Sequence, residues 1–192
     1  EGGAALTNKK EIFKKLREFR THGIISNVEL CKKGRKVLPW YYEQVDLGYN
    51  YRMSDISAAL GISQLKRVDE FIKKRKLIAE KYFKALNGLP LKMTSQEQIA
   101  YSSNHLYIIR INKTMTKKTN LDLYNLFLKH QIKLNLHYIP IYRHPYYKKM
   151  KFRVKDYPNS ESYYSEALSL PIYCSLSVKE QDKVISIIKN FF

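Results

Sequence analysis

Hydrophobic positions recur at helical spacing over Ile12, Phe13, Leu16 and Phe19, and the preceding Asn8, with Glu11 three residues on, predicts an N-cap and its reciprocal partner for a helix ending near Arg20. His22-Gly23 stops that pattern. From Ile24 to Tyr49 the sequence is mixed and interrupted by Gly34, Pro39, Trp40 and Gly48, which predicts irregular chain with one short strand. Ser54 and Asp55 then cap a long helical region whose first turns carry Ala58, Ala59, Ile62 and Leu65 on one face. The pattern resumes at Val68, Phe71, Ile72, Ile78, Tyr82 and Leu86 and stops at Asn87-Gly88-Leu89-Pro90, so a kink is expected between two helical runs.

Beyond that stop the period changes. His105 to Ile111 is rich in β-formers and predicts a strand; Leu123, Tyr124, Phe127 and Leu128 predict a helix, and Lys133 to Tyr138 a second strand. Pro140 and Pro145 make the next segment an extended loop leading to a short helix at Tyr146–Met150. Ser160–Ala167 reads as helical and Leu168–Pro171 as extended. Ser177 and Glu180 form a capping box for a last helix that buries Val184, Ile185, Ile188 and Phe191. Strand, helix, strand and terminal helix after a long connecting helix make a small α+β unit, and the first fifty residues do not close a core of their own.

Composition changes the picture in two ways. The 192 residues carry 35 Lys+Arg against 17 Asp+Glu, a net charge of +18, yet 44% are hydrophobic, so the chain folds despite its charge. The basic excess makes a nucleic-acid-binding module a reading to weigh; such a protein would lose affinity steeply with salt. Against it, the positive residues are spread along the chain, with no single basic stripe or nucleic-acid motif. Cys31 and Cys174 are too few for a disulfide framework and suit a reducing, cytoplasmic setting. No apolar run is long enough to span a membrane.

Three places carry candidate chemistry. Glu1-Gly2-Gly3 allows close backbone approach to a neighbour or a phosphate, though an ordinary turn explains it as well. Asn50 and Arg52 lie just before the Ser54 cap, and an amide, a guanidinium and the free N–H groups of a helix start suit a phosphate; a surface arginine in a turn is the plainer alternative. In Asn135-Leu136-His137-Tyr138-Ile139-Pro140, strand alternation points Asn135 and His137 to one face and Leu136 and Tyr138 to the other. With Tyr142, Arg143, His144, Tyr146 and Tyr147 following, donors and stacking rings suit a polar, partly planar ligand such as a nucleotide, or else a structural aromatic loop. His137 and His144 have no further ligands at metal-site spacing. No complete nucleophile-and-base set is visible, and the lysines stand mostly in runs such as Lys73-Lys74-Arg75-Lys76, read as solvated helix faces.

Taken in order, Glu1-Gly2-Gly3-Ala4-Ala5-Leu6-Thr7-Asn8, Arg20-Thr21-His22-Gly23 and Leu47-Gly48-Tyr49-Asn50-Tyr51-Arg52-Met53-Ser54-Asp55-Ile56 resemble the DegT-type family of pyridoxal-phosphate sugar aminotransferases. His137-Tyr138-Ile139-Pro140-Ile141-Tyr142, with Pro145-Tyr146-Tyr147 after it, resembles the branch that aminates UDP-4-keto-6-deoxy-N-acetyl-L-altrosamine on the way to pseudaminic acid. The resemblance covers essentially the whole chain but only the C-terminal half of a family member. It implies an α/β fold, the C-terminal part of a fold type I transferase, with residues 1–65 a remnant of the large cofactor-binding domain, a long linking helix, and 66–192 the small C-terminal α+β domain. It implies a homodimer with interfacial active sites, glutamate as amino donor and a UDP-sugar as acceptor. Asn50 would reach the neighbouring subunit's cofactor phosphate with Arg52 nearby, while Asn135, Leu136, His137 and Tyr138 would help enclose the sugar nucleotide. The family's Schiff-base lysine falls before the position matching Glu1, so the resemblance implies that these residues alone do not transaminate and either need a complementing N-terminal half or are an inactive dimerisation remnant.

Overall fold

The computed structural model describes residues 3–26, 28, 34 and 36–192; Glu1, Gly2 and Cys31, singled out above, lie outside them. The chain divides into two compact units, Glu1–Lys66 and Arg67–Phe192.

The first unit contains helix α1 (Lys10–Arg20), strands β1 (Ile24–Ser26) and β2 (Tyr42–Gln44), and helix α2 (Asp55–Leu65). The expected Asn8 cap is corrected: Lys9 occupies the N-cap position, where its ammonium offers no acceptor to the helix N–H groups, and its own N–H donates to the Thr7 hydroxyl at 3.1 Å. On α1 the buried residue is Glu18, with Lys14 and Lys15 ammonium groups 3.7 and 3.8 Å from its carboxylate, while Ile12, Phe13 and Leu16 are exposed. Strands β1 and β2 pair antiparallel with Ile25 opposite Glu43, so the stretch expected to hold one short strand contains a two-stranded ladder. Ser54 caps α2 as its position suggested, its hydroxyl accepting the Ser57 N–H at 3.2 Å. Ile25 is the only buried hydrophobic residue among the described residues of this unit.

The second unit has a core of its own. Helix α3 (Val68–Leu86) begins after a break at Lys66-Arg67, where the kink was expected. Strands β3 (Leu91–Met93), β4 (Tyr107–Ile111) and β5 (Ala167–Leu170) form an antiparallel sheet in the order β3-β4-β5. Helices α4 (Gln96–Tyr101), α5 (Asn120–Lys129), α6 (Pro145–Lys148), α7 (Pro158–Tyr164) and α8 (Val178–Phe191) complete it. Tyr107, Ile109 and Ile111 alternate inward along β4 and meet Ile78, Ala79, Tyr82 and Leu86 of α3, Leu123 and Phe127 of α5, and Val184, Ile185 and Ile188 of α8. Burying each large side chain contributes about 1.5–3 kcal/mol. Two polar side chains brought inside are bonded to main chain: Tyr82 Oη donates to the Pro171 carbonyl at 2.9 Å and Gln181 Nε2 to the Ile78 carbonyl at 2.8 Å.

Two expectations for this unit need correction. The strand predicted over Lys133–Tyr138 is a single bridge between Asn135 and Ser169. The Asn135 side chain takes the Leu136 N–H and Tyr163 takes the His137 carbonyl, so the ladder ends after one rung. The strand predicted from His105 starts at Tyr107, because the chain arrives through Asn104 in the left-handed region (φ 49°), whose amide donates to the Ile99 and Ser102 carbonyls.

Candidate functional site

Asn50 and Arg52 owe their placement to a tight crossing at the end of α1. His22 (φ 58°) and Gly23 (φ 70°) turn the chain sharply, and a Cβ on Gly23 would lie 1.9 Å from the Asp46 carbonyl oxygen. Gly48 is equally confined: a Cβ there would lie 2.2 Å from the Gly23 nitrogen. With no side chain between them, the segments lie close enough for His22 N–H to donate to the Tyr49 carbonyl at 2.9 Å and Tyr51 N–H to the Arg20 carbonyl at 3.0 Å. Asn50 is thereby bridged to Thr21.

The Arg52 guanidinium donates twice to Asn50 Oδ1, from Nε at 3.2 Å and from one terminal nitrogen at 3.1 Å, and the same terminal nitrogen lies 3.3 Å from His22 Nε2. Among the described residues no carboxylate pairs with Arg52, and Asn50 Nδ2 has no hydrogen-bond partner. Two residues on, the α2 N-terminus presents backbone N–H groups. An unneutralised guanidinium, a free amide NH2 and a helix start fit the phosphate of pyridoxal phosphate by the chemistry of the donor set. His22 was not singled out as a site residue; the His-Gly pair at a helix stop was the available signal.

The second cluster lies within the second unit. Asn135 and His137 come together, with Asn135 Nδ2 3.4 Å from His137 Nε2, although the backbone between them is not the strand that suggested it. His137 Nδ1 is 2.8 Å from Ser169 Oγ, and Tyr163 Oη donates to the His137 carbonyl at 3.0 Å. Leu136 is half-buried, and the exposed Tyr138 ring meets the His137 ring edge-on at 4.7 Å.

Clefts flank this segment. A cavity of about 510 Å³ is lined by Tyr124, Lys133, Asn135, Leu136, Arg143 and Glu161 among others; another of about 600 Å³ is lined by Tyr138, Ile139, Tyr142, Asn159, Ser160 and Tyr163 among others. Arg143 is bound to Glu161 and lies over the Tyr164 ring at 5.0 Å, and Tyr142 Oη donates to Glu161 at 2.8 Å. The Arg143 hydrogen bond holds the Glu161 carboxyl below its usual range, so it stays ionised and fixes both neighbours. Ser169 and Tyr163 are contributors that sequence reasoning missed, since each meets His137 from more than 25 positions away in the chain.

The fold is the C-terminal part of a fold type I, pyridoxal-phosphate-dependent transferase, and the chain belongs to the DegT/DnrJ/EryC1/StrS aminotransferase family, whose profile matches residues 1–189. Among its relatives is the UDP-4-amino-4,6-dideoxy-N-acetyl-beta-L-altrosamine transaminase of Campylobacter jejuni, 32% identical over 99% of this chain and 49% of that protein. Helicobacter pylori PseC, an aminotransferase involved in the biosynthesis of pseudoaminic acid, superposes with a TM-score of 0.78 at 27% identity, over 97% of this chain and 47% of that one. Spr1654 of Streptococcus pneumoniae in its PLP form gives 0.77 at 26% identity, over 98% and 45%. The chain thus spans about half the length of the curated relatives it matches. Among the described residues no helix is long and apolar enough to cross a membrane.

Proposed function

We propose that these residues form the C-terminal half of an aminotransferase that moves an amino group from glutamate to the keto carbon of a UDP-linked 4-keto-6-deoxy sugar, for bacterial surface glycan. The observation that carries the reading is the donor cluster of Asn50 and Arg52, with no competing carboxylate among the described residues and of a chemistry that suits a phosphate, in a chain that matches the family profile over residues 1–189. Pyridoxal phosphate, when bound, supplies the electron sink for amino transfer.

This chain's own part is binding and orientation. Asn50 Nδ2 and the Arg52 guanidinium hold the cofactor phosphate of the neighbouring subunit in a cytoplasmic homodimer, and His22 braces Arg52 from behind. Residues 1–65 belong to the large cofactor-binding domain and 66–192 form the small C-terminal α+β domain. Asn135, Leu136, His137 and Tyr138 line the sugar-nucleotide side. The cofactor lysine comes from an N-terminal half, on the same chain or a separate one, and the 192 residues alone are inactive.

The test is reconstitution. The chain is joined to, or co-expressed with, the lysine-bearing half of a family member such as the Campylobacter jejuni transaminase, and supplied with pyridoxal phosphate. Neither half alone should show the absorbance of lysine-bound cofactor; together they should show it and consume glutamate in the presence of the UDP-linked keto sugar. Absence of that absorbance from a folded, joined protein would overturn the proposal.

A further inference from the structure

The orientation of the Asn135 side chain determines which nitrogen of His137 carries its proton. The Leu136 N–H donates to Asn135 Oδ1 at 2.8 Å, so it is Nδ2 that lies 3.4 Å from His137 Nε2. An amide NH2 donates and never accepts; Nε2 must therefore present its lone pair, and the proton of the neutral ring sits on Nδ1. Nδ1 is 2.8 Å from Ser169 Oγ, which accepts it.

Ser169 acts from a rigid support. It is 7% exposed, stands in the fully buried strand β5, and its backbone N–H donates to the Asn135 carbonyl at 2.8 Å, so one residue fixes both members of the pair. Tyr163 holds the His137 carbonyl from the other side and is itself covered by the Arg110 guanidinium at 5.5 Å. The Asn135 contact to Nε2, at 3.4 Å, is long enough to give way to a better donor.

We propose that Ser169 is a positioning residue that keeps His137 in its Nδ1–H tautomer, so that Nε2 accepts a hydrogen bond from a hydroxyl or N–H group of the bound sugar nucleotide. The ligand part of this rests on the assignment of Asn135–Tyr138 to the substrate side; the tautomer part rests on the hydrogen bonds alone. A histidine set up this way selects for a donor on the ligand and against a bare acceptor, because an acceptor facing Nε2 would leave two lone pairs opposed.

Long-range proton–nitrogen correlation spectra of the 192-residue chain at about pH 8.5, where an ordinary imidazole is neutral, read the protonation of each ring nitrogen, with His137→Gln identifying the signal. The expected pattern is a protonated Nδ1 and a bare Nε2 for His137, a shift toward the Nε2–H form in Ser169→Ala, and retention of the original pattern in Ser169→Thr. A protonated Nε2 in the unmodified chain, or an unchanged spectrum in Ser169→Ala, would overturn the positioning role; if Ser169→Ala does not fold, the unmodified chain decides. UDP-N-acetylglucosamine added to the same sample should shift the Nε2 resonance and leave it unprotonated. Ligand-induced shifts elsewhere that spare Nε2 would sink the acceptor role alone, and no shifts at all would sink the substrate assignment while the tautomer result stands.

Discussion

Arg110 and Glu166 meet across the sheet edge of the second unit, the guanidinium donating to a carboxylate that is 6% exposed, at 2.8 Å. Lys92 and Ser162 complete the carboxylate's partners at 3.2 and 2.9 Å, while Arg110 Nε is buried with no partner among the described residues. Burial alone would raise the Glu166 carboxyl; the Ser162 and Lys92 hydrogen bonds and the Arg110 charge outweigh it and hold the group below its usual value. Glu166→Gln should cost about 2 kcal/mol in denaturant unfolding at neutral pH, since two cations lose their charged partner. Because folding lowers this pKa, the contribution is complete above the unfolded value and disappears as pH falls through the folded one. The variant's stability deficit should therefore shrink below about pH 4.5, which a pH series of unfolding curves would reveal.

Phe127 is fully buried between α5 and the rest of the core. Phe127→Ala should destabilise the second unit by about 4 kcal/mol, the cost of a large cavity in a well-packed interior. Differential scanning calorimetry would read this as a lowered transition for that unit, and a change under about 1 kcal/mol would show that the core is not packed as described.

Gly23→Ala tests the crossing that places Asn50 and Arg52. The added methyl meets the Asp46 carbonyl at 1.9 Å in a left-handed backbone conformation, and the neighbour is main chain that has no room to yield. A loss of about 3 kcal/mol is expected. Amide exchange at Tyr49 and Tyr51, whose N–H groups bond across this crossing, should accelerate together, whereas exchange in the β3-β4-β5 sheet should not change.

Arg52→Met in the reconstituted enzyme should weaken pyridoxal phosphate binding about 10–100-fold, the value of one charge-assisted hydrogen bond to phosphate. Arg52→Lys should recover only part, because an ammonium cannot bridge Asn50 and a phosphate with a planar fork. Fluorescence titration with the cofactor separates the three proteins; equal affinities would remove Arg52 from the site.

Local signals in the sequence account for much of this. Ser54, Ser177 with Glu180, and the stop at Asn87–Pro90 are short-range devices, and each marks the boundary the structure shows. Strand β3 and helix α4 were not anticipated, even though Ser95 and Gln98 form a capping box, because each element is at most six residues long and too short for a period to be seen. At the site, Asn135 and His137 could be paired from their spacing, but for the wrong reason: an amide folded back on its own backbone, not strand alternation, brings them together. Ser169 and Tyr163 were illegible because nothing local marks a serine in a buried strand or one tyrosine of sixteen as facing a distant histidine. Glu18 reverses the expected face of α1: its neighbours Ile12, Phe13 and Leu16 satisfy the helical period, yet the carboxylate between two lysines is what the first unit encloses.

Helix α2 has no buried residue, and Ile56, Leu60, Ile62 and Leu65 are each at least 60% exposed. A surface of that kind makes the isolated polypeptide a poor colloid, kept dispersed chiefly by mutual repulsion between molecules carrying +18 each. Ions that shorten the reach of this repulsion, to about 8 Å near physiological strength, remove the barrier before they alter any fold. Purification in concentrated salt would then turn the same lysine-rich chain from a stable solution into a sticky one, and the order of buffers would matter as much as the choice of partner.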